Sequence, residues 1–143
     1  MLPRLRRILP ALWAGVLVSI AALAAPAAFG NLAGADAGRV VSHIFLREGW
    51  MSLVLAALLL GLERLHGAPE RMNARLLWGT VLCTLLGYFA IQPLMPAARA
   101  GQGMLSFGQL HLISTLFYGL KTVLVLVLAW RVAGEDLSRR PFS

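Results

Sequence analysis

The sequence predicts an all-α integral membrane protein, an antiparallel four-helix bundle that forms one domain over residues 1–143. The chain is 59% hydrophobic and only 13% charged, whereas about a quarter of the residues in a soluble domain are charged. Four apolar runs approach the roughly 20 residues that a helix needs to cross a bilayer. The runs cover residues 8–29, 40–62, 76–94 and 107–130.

The arginines predict the orientation of these spans, because cytoplasmic loops of membrane proteins are enriched in Lys and Arg. One side of the predicted bundle carries Arg4, Arg6, Arg7, Arg64, Arg71, Arg75, Arg131, Arg139 and Arg140. The other side carries only Arg39 and Arg99. We therefore expect both termini in the cytoplasm and the chain in a bacterial inner membrane. The basic residues lie between apolar runs, so the expected partner is the lipid bilayer and not nucleic acid.

The first apolar run has a second interpretation. "MLPRLRR", an apolar stretch and "ALAAPAA" together resemble a secretory signal with a small-residue cleavage site. Cleavage would leave three spans and an external N-terminus. A retained first helix is the preferred interpretation.

Small residues recur at four-residue spacing in two spans, and such stripes allow helices in lipid to approach closely. The first span carries Gly15 and Ser19, and the third carries Gly79 and Gly87. Either stripe is expected to pack inside the bundle or to bind a second copy or a membrane partner.

An acid within an apolar run predicts a polar site. Glu48 follows Arg47 inside the second predicted span, and an ionised carboxylate in lipid costs several kcal/mol. We expect Glu48 to point inward, with Arg47, His111, Lys121 or a hydroxyl as partner, or else to be protonated. Arg47 projects about 100° away and can extend to the head groups.

Polar side chains on the second, third and fourth spans are predicted to meet Glu48 in the outer half of the bundle. A helical rise of 1.5 Å per residue places Glu48 about 12 Å deep and His111 about 6 Å deep, but Lys121 about 20 Å deep. The candidate site residues are His43, Arg47, Glu48, Tyr88, Gln92, His111 and Ser114.

Three interpretations of this cluster remain open: a structural hydrogen-bond network, a binding or permeation site for a metal ion, proton or small solute, and a catalytic site. His111 and His43 are the candidate metal ligands, since imidazole suits copper. Haem is the other cofactor considered. No phosphate loop, nucleophile elbow or carboxylate pair points to an enzyme.

Several segments resemble the transmembrane protein 205-like domain, a membrane domain of uncertain function. They include "FGQLHLISTLFYGLK", "HIFLREGW" and "GYFAIQPLMPAAR". The resemblance implies a four-helix membrane domain and highlights Pro26, Phe29, Glu48, Gln92, Pro93, His111 and Ser114. Lys121 departs from the uncharged polar residue expected at its position. The domain is remotely similar to copper-resistance D-type membrane proteins, which implies a metal or cofactor role.

The sequence as a whole predicts a non-enzymatic binding, transport or resistance protein with a polar site inside the membrane. A scaffold or accessory subunit of a membrane complex, held by the small-residue stripes, is the alternative.

Overall fold

The computed structural model describes residues 2–65, 67 and 70–134, and these residues are helical apart from short connections. Four helical segments are long and apolar enough to cross a membrane, as the sequence predicts. These spans, the first to the fourth, are Arg4–Asn31, Gly34–Leu65, Arg71–Arg99 and Phe107–Gly134. Arg139 and Arg140, two of the arginines used to predict the orientation, lie outside the described residues.

Two of the spans are continuous α-helices, and the other two change their helical geometry along their length. The second span is helix α3 (Gly34–Leu65), and the fourth is helix α6 (Phe107–Gly134). The first span consists of α1 (Leu2–Ser19), a π-helical turn (Ile20–Ala24) and α2 (Ala25–Asn31). The third consists of α4 (Arg71–Thr84), a π-helical turn (Leu85–Ala90), a 3-10 turn (Gln92–Leu94) and α5 (Met95–Arg99).

Proline accompanies both changes of geometry. Pro26 has no N–H to donate, and just before it the N–H of Ala25 donates to the carbonyl of Ile20, one residue beyond the α-helical partner. Pro93 lies in the 3-10 turn that follows the second π-helical turn. Such turns re-aim the side chains of a helix and are frequent at functional sites. In the first span the π-helical turn separates α1 from α2, and in the third span the two turns separate α4 from α5.

The connection between the third and fourth spans is closed by two local hydrogen-bond motifs. Gly101 has φ +72°, and the N–H of Gln102 donates to the carbonyl of Ala97, as in a Schellman helix end. Ser106 and Gln109 then form a capping box: each side chain accepts from the backbone N–H of the other, at 2.9 and 3.3 Å. The end of α5 is thereby held close to the start of α6.

The main core of the bundle takes side chains from all four spans. Its buried members are Trp13, Ala14, Leu17, Ala56, Leu59, Leu76, Leu77, Val125, Leu128 and Val132. Large apolar side chains such as Leu12, Leu116 and Trp130 are exposed on the opposite helix faces. An apolar exterior around a small buried core is the pattern expected of a bundle that lies in lipid.

The two ends of the bundle differ. At the charged end, Arg6 pairs with the buried Glu63, and Arg131 contacts Glu70 and Asn73. The opposite end, where α3 and α6 begin, lies beside a cavity between the spans, and we call it the cavity end. Arg6 and Trp13 lie on α1, and Glu63 and Ser52 lie on α3. The Trp13–Ser52 contact between these two helices is further from the charged end than the Arg6–Glu63 pair.

The two small-residue stripes face different neighbours. A Cβ on Gly87 would lie 2.4 Å from the Phe117 Cβ, and one on Gly79 would lie 3.0 Å from the Leu124 Cδ1. The third-span stripe therefore allows close packing against the fourth span. Nothing lies within 4 Å of a Cβ built on Gly15. The first-span stripe, with its exposed Ser19, faces the outside of the bundle.

Candidate functional site

A buried ion pair joins the second and fourth spans at mid-bundle. The Nζ of Lys121 lies 2.7 Å from each carboxylate oxygen of Glu48. Glu48 is 4% exposed and Lys121 is 3% exposed. Two charges withdrawn from water need both mutual attraction and further hydrogen bonds to offset the cost of desolvation. The contact between both carboxylate oxygens and one ammonium group supplies part of that offset.

Two further side chains complete this network. The hydroxyl of Ser52, one turn further along α3, donates to the carboxylate of Glu48. The indole Nε1 of Trp13 in turn donates to the Ser52 Oγ at 3.1 Å. A continuous chain of hydrogen bonds therefore runs from α1 through α3 to α6. All of its side chains are buried, so it holds three spans in one register.

The helix boundaries explain why Glu48 meets Lys121. The two residues lie equally far from the first residues of their helices, Gly34 and Phe107, and a rise of 1.5 Å per residue gives about 21 Å for each. The sequence-based depth of Glu48 was about 12 Å because the span was taken to begin at Val40. The polar and small residues before Val40 are helical as well, which brings the acid to the level of the lysine.

A cavity of about 330 Å³ lies between this ion pair and the cavity end. Glu48, Lys121, Cys83 and Thr84 line its deep part, which we call the floor. Its walls are largely apolar and aromatic, and they come from all four spans. The wall residues include Ala21, Ala25, Phe29, Val41, Phe45, Tyr88, Met95 and Tyr118.

All the hydroxyl groups that line the cavity donate to backbone carbonyls, and three of them donate to a neighbouring span. Tyr118 donates to the carbonyl of Leu17 at 2.9 Å, and Ser114 donates to the carbonyl of Gly87 at 2.7 Å. Tyr88 donates to the carbonyl of Ser42 at 3.3 Å. These bonds fix the helices around the cavity. Hydrogen-bond donors left free for a bound molecule must therefore come from other residues.

Three polar side chains that line the cavity near the cavity end of the bundle make no hydrogen bond within the part of the chain that the structure describes. They are Gln92, His111 and Arg99, and all three line the cavity. The ring of His111 stacks on Phe107 with centroids 5.9 Å apart, and the guanidinium of Arg99 lies 4.5 Å from the centroid of the same ring. Phe107 thus positions two polar groups at one opening, which we call the mouth.

The structure brings together most of the residues that the sequence singled out. Glu48, Tyr88, Gln92, His111 and Ser114 all line the cavity. His43 and Arg47 do not line it, because they project from exposed faces of α3.

The same positions bear on the tentative metal site. The structure places His111 on the cavity wall and His43 outside the cavity. Among residues 2–65, 67 and 70–134, no three side chains of the His, Cys, Asp or Glu types form a group that could hold a metal ion.

Sequence reasoning missed three participants: Trp13, Ser52 and Arg99. Lys121 was one of the predicted partners of Glu48, although the estimated depths set the two residues apart. Ser52 carried a usable signal, since it lies one helical turn from Glu48 on the same face. Trp13 carried none, because an indole in an apolar run fits a core position or an interfacial one equally well. Arg99 was assigned to a loop, whereas it ends α5 and lines the cavity.

Comparison with known proteins identifies a family. Residues 8–103, more than half of the chain, match the model of the family described as Domain of unknown function (DUF4149). The chain belongs to this family. No curated protein and no solved structure gives a significant match.

The DUF4149 match divides the site. It covers the second and third spans and all but the first four residues of the first span, and with them Trp13, Glu48 and Ser52. The fourth span, which supplies His111 and Lys121, lies beyond the matched residues. The match does not confirm a resemblance to transmembrane protein 205-like or copper-resistance D-type proteins, and both remain predictions.

Proposed function

We propose that this DUF4149 protein binds a small molecule in the cavity between its spans, as a multi-pass protein of a bacterial inner membrane. The observation that carries the proposal is the cavity itself: about 330 Å³ of space, bounded by a buried ion pair and by unpaired polar side chains at the mouth. Ligand sites are typically concave and apolar, with a few polar groups that fix orientation.

The same cavity favours binding over permeation. Beyond the Glu48–Lys121 pair the bundle is filled by the main core, in which Leu17 and Val125 are fully buried. A solute that reached the floor would meet packed side chains. The two charges of the pair also compensate each other at 2.7 Å, which supports a fixed polar floor better than a metal or proton pathway.

We further infer that the bundle is antiparallel and that both termini lie in the cytoplasm. Along α1 and α3 the contacts run in opposite directions, from Arg6–Glu63 to Trp13–Ser52. Most of the described arginines that flank the spans lie toward the charged end, and Arg39 and Arg99 lie toward the cavity end. By the positive-inside rule, the cavity then occupies the outer half of the membrane.

Replacement of either of two alanines in the first span by phenylalanine tests the binding function. Ala25 lines the cavity, while Ala22, three positions earlier, is exposed and does not line it. We expect Ala25→Phe to fill the space and to remove any small molecule that copurifies with the protein. Ala22→Phe should retain it. Mass spectrometry of organic extracts, quantified per mole of protein, measures both.

The cysteine on the floor provides a second measurement. Cys83 is the one cysteine of the chain and lines the cavity. After bound molecules have been removed in detergent, methyl methanethiosulfonate should modify it more slowly in Ala25→Phe than in the wild type, and at the wild-type rate in Ala22→Phe. A wild-type protein with no bound molecule, or equal retention by both variants, would contradict the binding function.

A scaffold role is the second candidate, favoured by the outward-facing stripe of the first span. Ala11, Gly15 and Ser19 line a shallow groove on the bundle surface. If the groove holds a partner helix, Gly15→Leu should abolish crosslinking to that partner in membranes. Gly61→Leu, at an exposed position with open space around it, should not. Absence of any crosslinked partner would remove this candidate.

A further inference from the structure

The cavity opens sideways as well as toward the end of the bundle. Phe29 on the first span and His111 and Thr115 on the fourth line the cavity, yet all three are exposed. In this half of the bundle, α2 packs mainly against α3 and leaves α6 apart. His111 and Thr115 lie about 6 and 12 Å from the start of α6, at the depth of lipid chains. The gap between the first and fourth spans therefore faces the bilayer.

The charged groups of the cavity leave one positive charge uncompensated. Glu48 and Lys121 neutralise each other at the floor. Arg99 makes no ion pair within residues 2–65, 67 and 70–134. The nearest acid along α3, Asp36, pairs with Arg39 on the exposed surface. The mouth thus combines one free guanidinium with an apolar interior, which suits an anion attached to an apolar chain.

The packing around Arg99 keeps its guanidinium available. A Cβ on Gly38 would lie 3.8 Å from the Arg99 Nη2, so the side chain lies against the one cavity-lining glycine of α3. The guanidinium also lies over the face of Phe107, and this cation–π contact does not use the N–H donors of the arginine. The fork of donors of an arginine matches a carboxylate or a phosphate.

We propose that the cavity takes an anionic amphiphile from the bilayer, with a carboxylate or phosphate group bound at Arg99 and an apolar chain between the first and fourth spans. This inference rests on the proposed binding function and names its ligand class. His111 and Gln92 offer hydrogen bonds to the same head group. Phe29, Phe45 and Met95 provide apolar surface for the chain. The ion pair at the floor carries no net charge and therefore offers no counter-charge for a second anion.

The experiment uses the full-length protein in phosphatidylcholine nanodiscs and three probes of equal chain length: decanoate, decyl phosphate and decanol. Protection of Cys83 from methyl methanethiosulfonate, measured against probe concentration, gives an apparent Kd for each. For the wild type we expect the two anions to bind at least about ten-fold more tightly than decanol, since charge-assisted hydrogen bonds are the strong ones.

Two arginine variants separate the head-group site from general charge. Arg99→Gln should raise the apparent Kd of decanoate and decyl phosphate about ten-fold, to the level of decanol, and should leave decanol unchanged. Arg39→Gln lies at the same end but pairs with Asp36, and should change none of the three values. Addition of phosphatidylglycerol to the nanodiscs distinguishes a bilayer lipid from a free amphiphile. Protection by this lipid, lost in Arg99→Gln, identifies the bilayer as the source.

Each contrary result is distinct from failure of the binding function. Equal affinity for decanoate and decanol in the wild type, no protection by any probe, or an unchanged affinity for decanoate in Arg99→Gln would overturn the anionic ligand. A copurified neutral molecule that is lost only in Ala25→Phe would overturn it too, while leaving the binding function in place.

Discussion

Toward the charged end of the bundle, Trp13, Leu17 and Val125 meet with almost no exposed surface, whereas toward the cavity end the same four spans enclose about 330 Å³ of space. The boundary between these two halves is the Glu48–Lys121 pair. Residue size alone does not separate the halves, because the core includes Ala14 and Ala56 and the cavity wall joins aromatic residues with the small residues Ala21 and Ala25.

The difference follows the helix geometry. α1, although Pro10 lies within it, and α4 remain α-helical through the packed half, and both are followed by π-helical turns beside the cavity. Pro26 and Pro93 lie in that half and prevent a regular α-helical hydrogen-bond ladder. One half therefore supplies the packing that stabilises the bundle, and the other keeps a space that packing would otherwise remove. Stability and binding are divided along the length of the same helices.

The largest expected effect lies at the boundary between the halves. Lys121→Met leaves the Glu48 carboxylate buried with only the Ser52 hydroxyl as partner. Removal of one member of a buried pair costs about 3–5 kcal/mol. We expect a loss of that size in the free energy of unfolding, measured by titration with sodium dodecyl sulfate in mild-detergent micelles.

The double variant Glu48→Gln/Lys121→Met is the control for this prediction. It removes both charges together, so most of the lost stability should return. If the single variant unfolds within about 1 kcal/mol of the wild type, the pair is not the structural boundary described here.

The contrast in packing predicts opposite tolerance to the same substitution. Ala56 is 1% exposed within the main core, and Ala25 lines the cavity. Ala56→Leu should lower the free energy of unfolding by about 1–3 kcal/mol, because extra methylenes force a filled core apart. Ala25→Leu should stay within about 0.5 kcal/mol of the wild type. Equal losses in the same titration would mean that the cavity half is packed as tightly as the other.

Much of this architecture could be predicted from the chain alone. The low charge and four apolar runs predicted four helices, and the cost of an unpaired carboxylate in lipid predicted that Glu48 points inward. The periodic positions of Tyr88, His111 and Ser114 placed polar groups on inner faces. The structure sets these residues around one cavity. The spacing of polar residues along one helix and the cost of burying a charge depend only on the local sequence, and for this reason the sequence reveals them.

Other features depend on how the helices are placed against one another, which spacing does not record. Hydropathy placed the start of the second span at Val40, but the helix begins at Gly34, and this offset hid the match in depth between Glu48 and Lys121. The stripes at Gly15 and Gly87 look alike in sequence, although only the second packs inside the bundle. Arg99 reaches the cavity through turns in the third span that apolar periodicity does not predict.

The smallest expected effect tests how far the packed half supports the boundary. Trp13→Phe removes the indole donor to Ser52, but the Ser52 hydroxyl still donates to Glu48 and no charge loses its partner. One neutral hydrogen bond contributes about 0.5–1.5 kcal/mol and the smaller ring leaves a small void in the core, so we expect a loss of about 1–2 kcal/mol in the same titration. Trp78→Phe, at a 58% exposed position, should have almost no effect. A loss for Trp13→Phe as large as that for Lys121→Met would instead mean that the hydrogen-bond chain acts as one cooperative unit, with α1 as essential to the ion pair as α6.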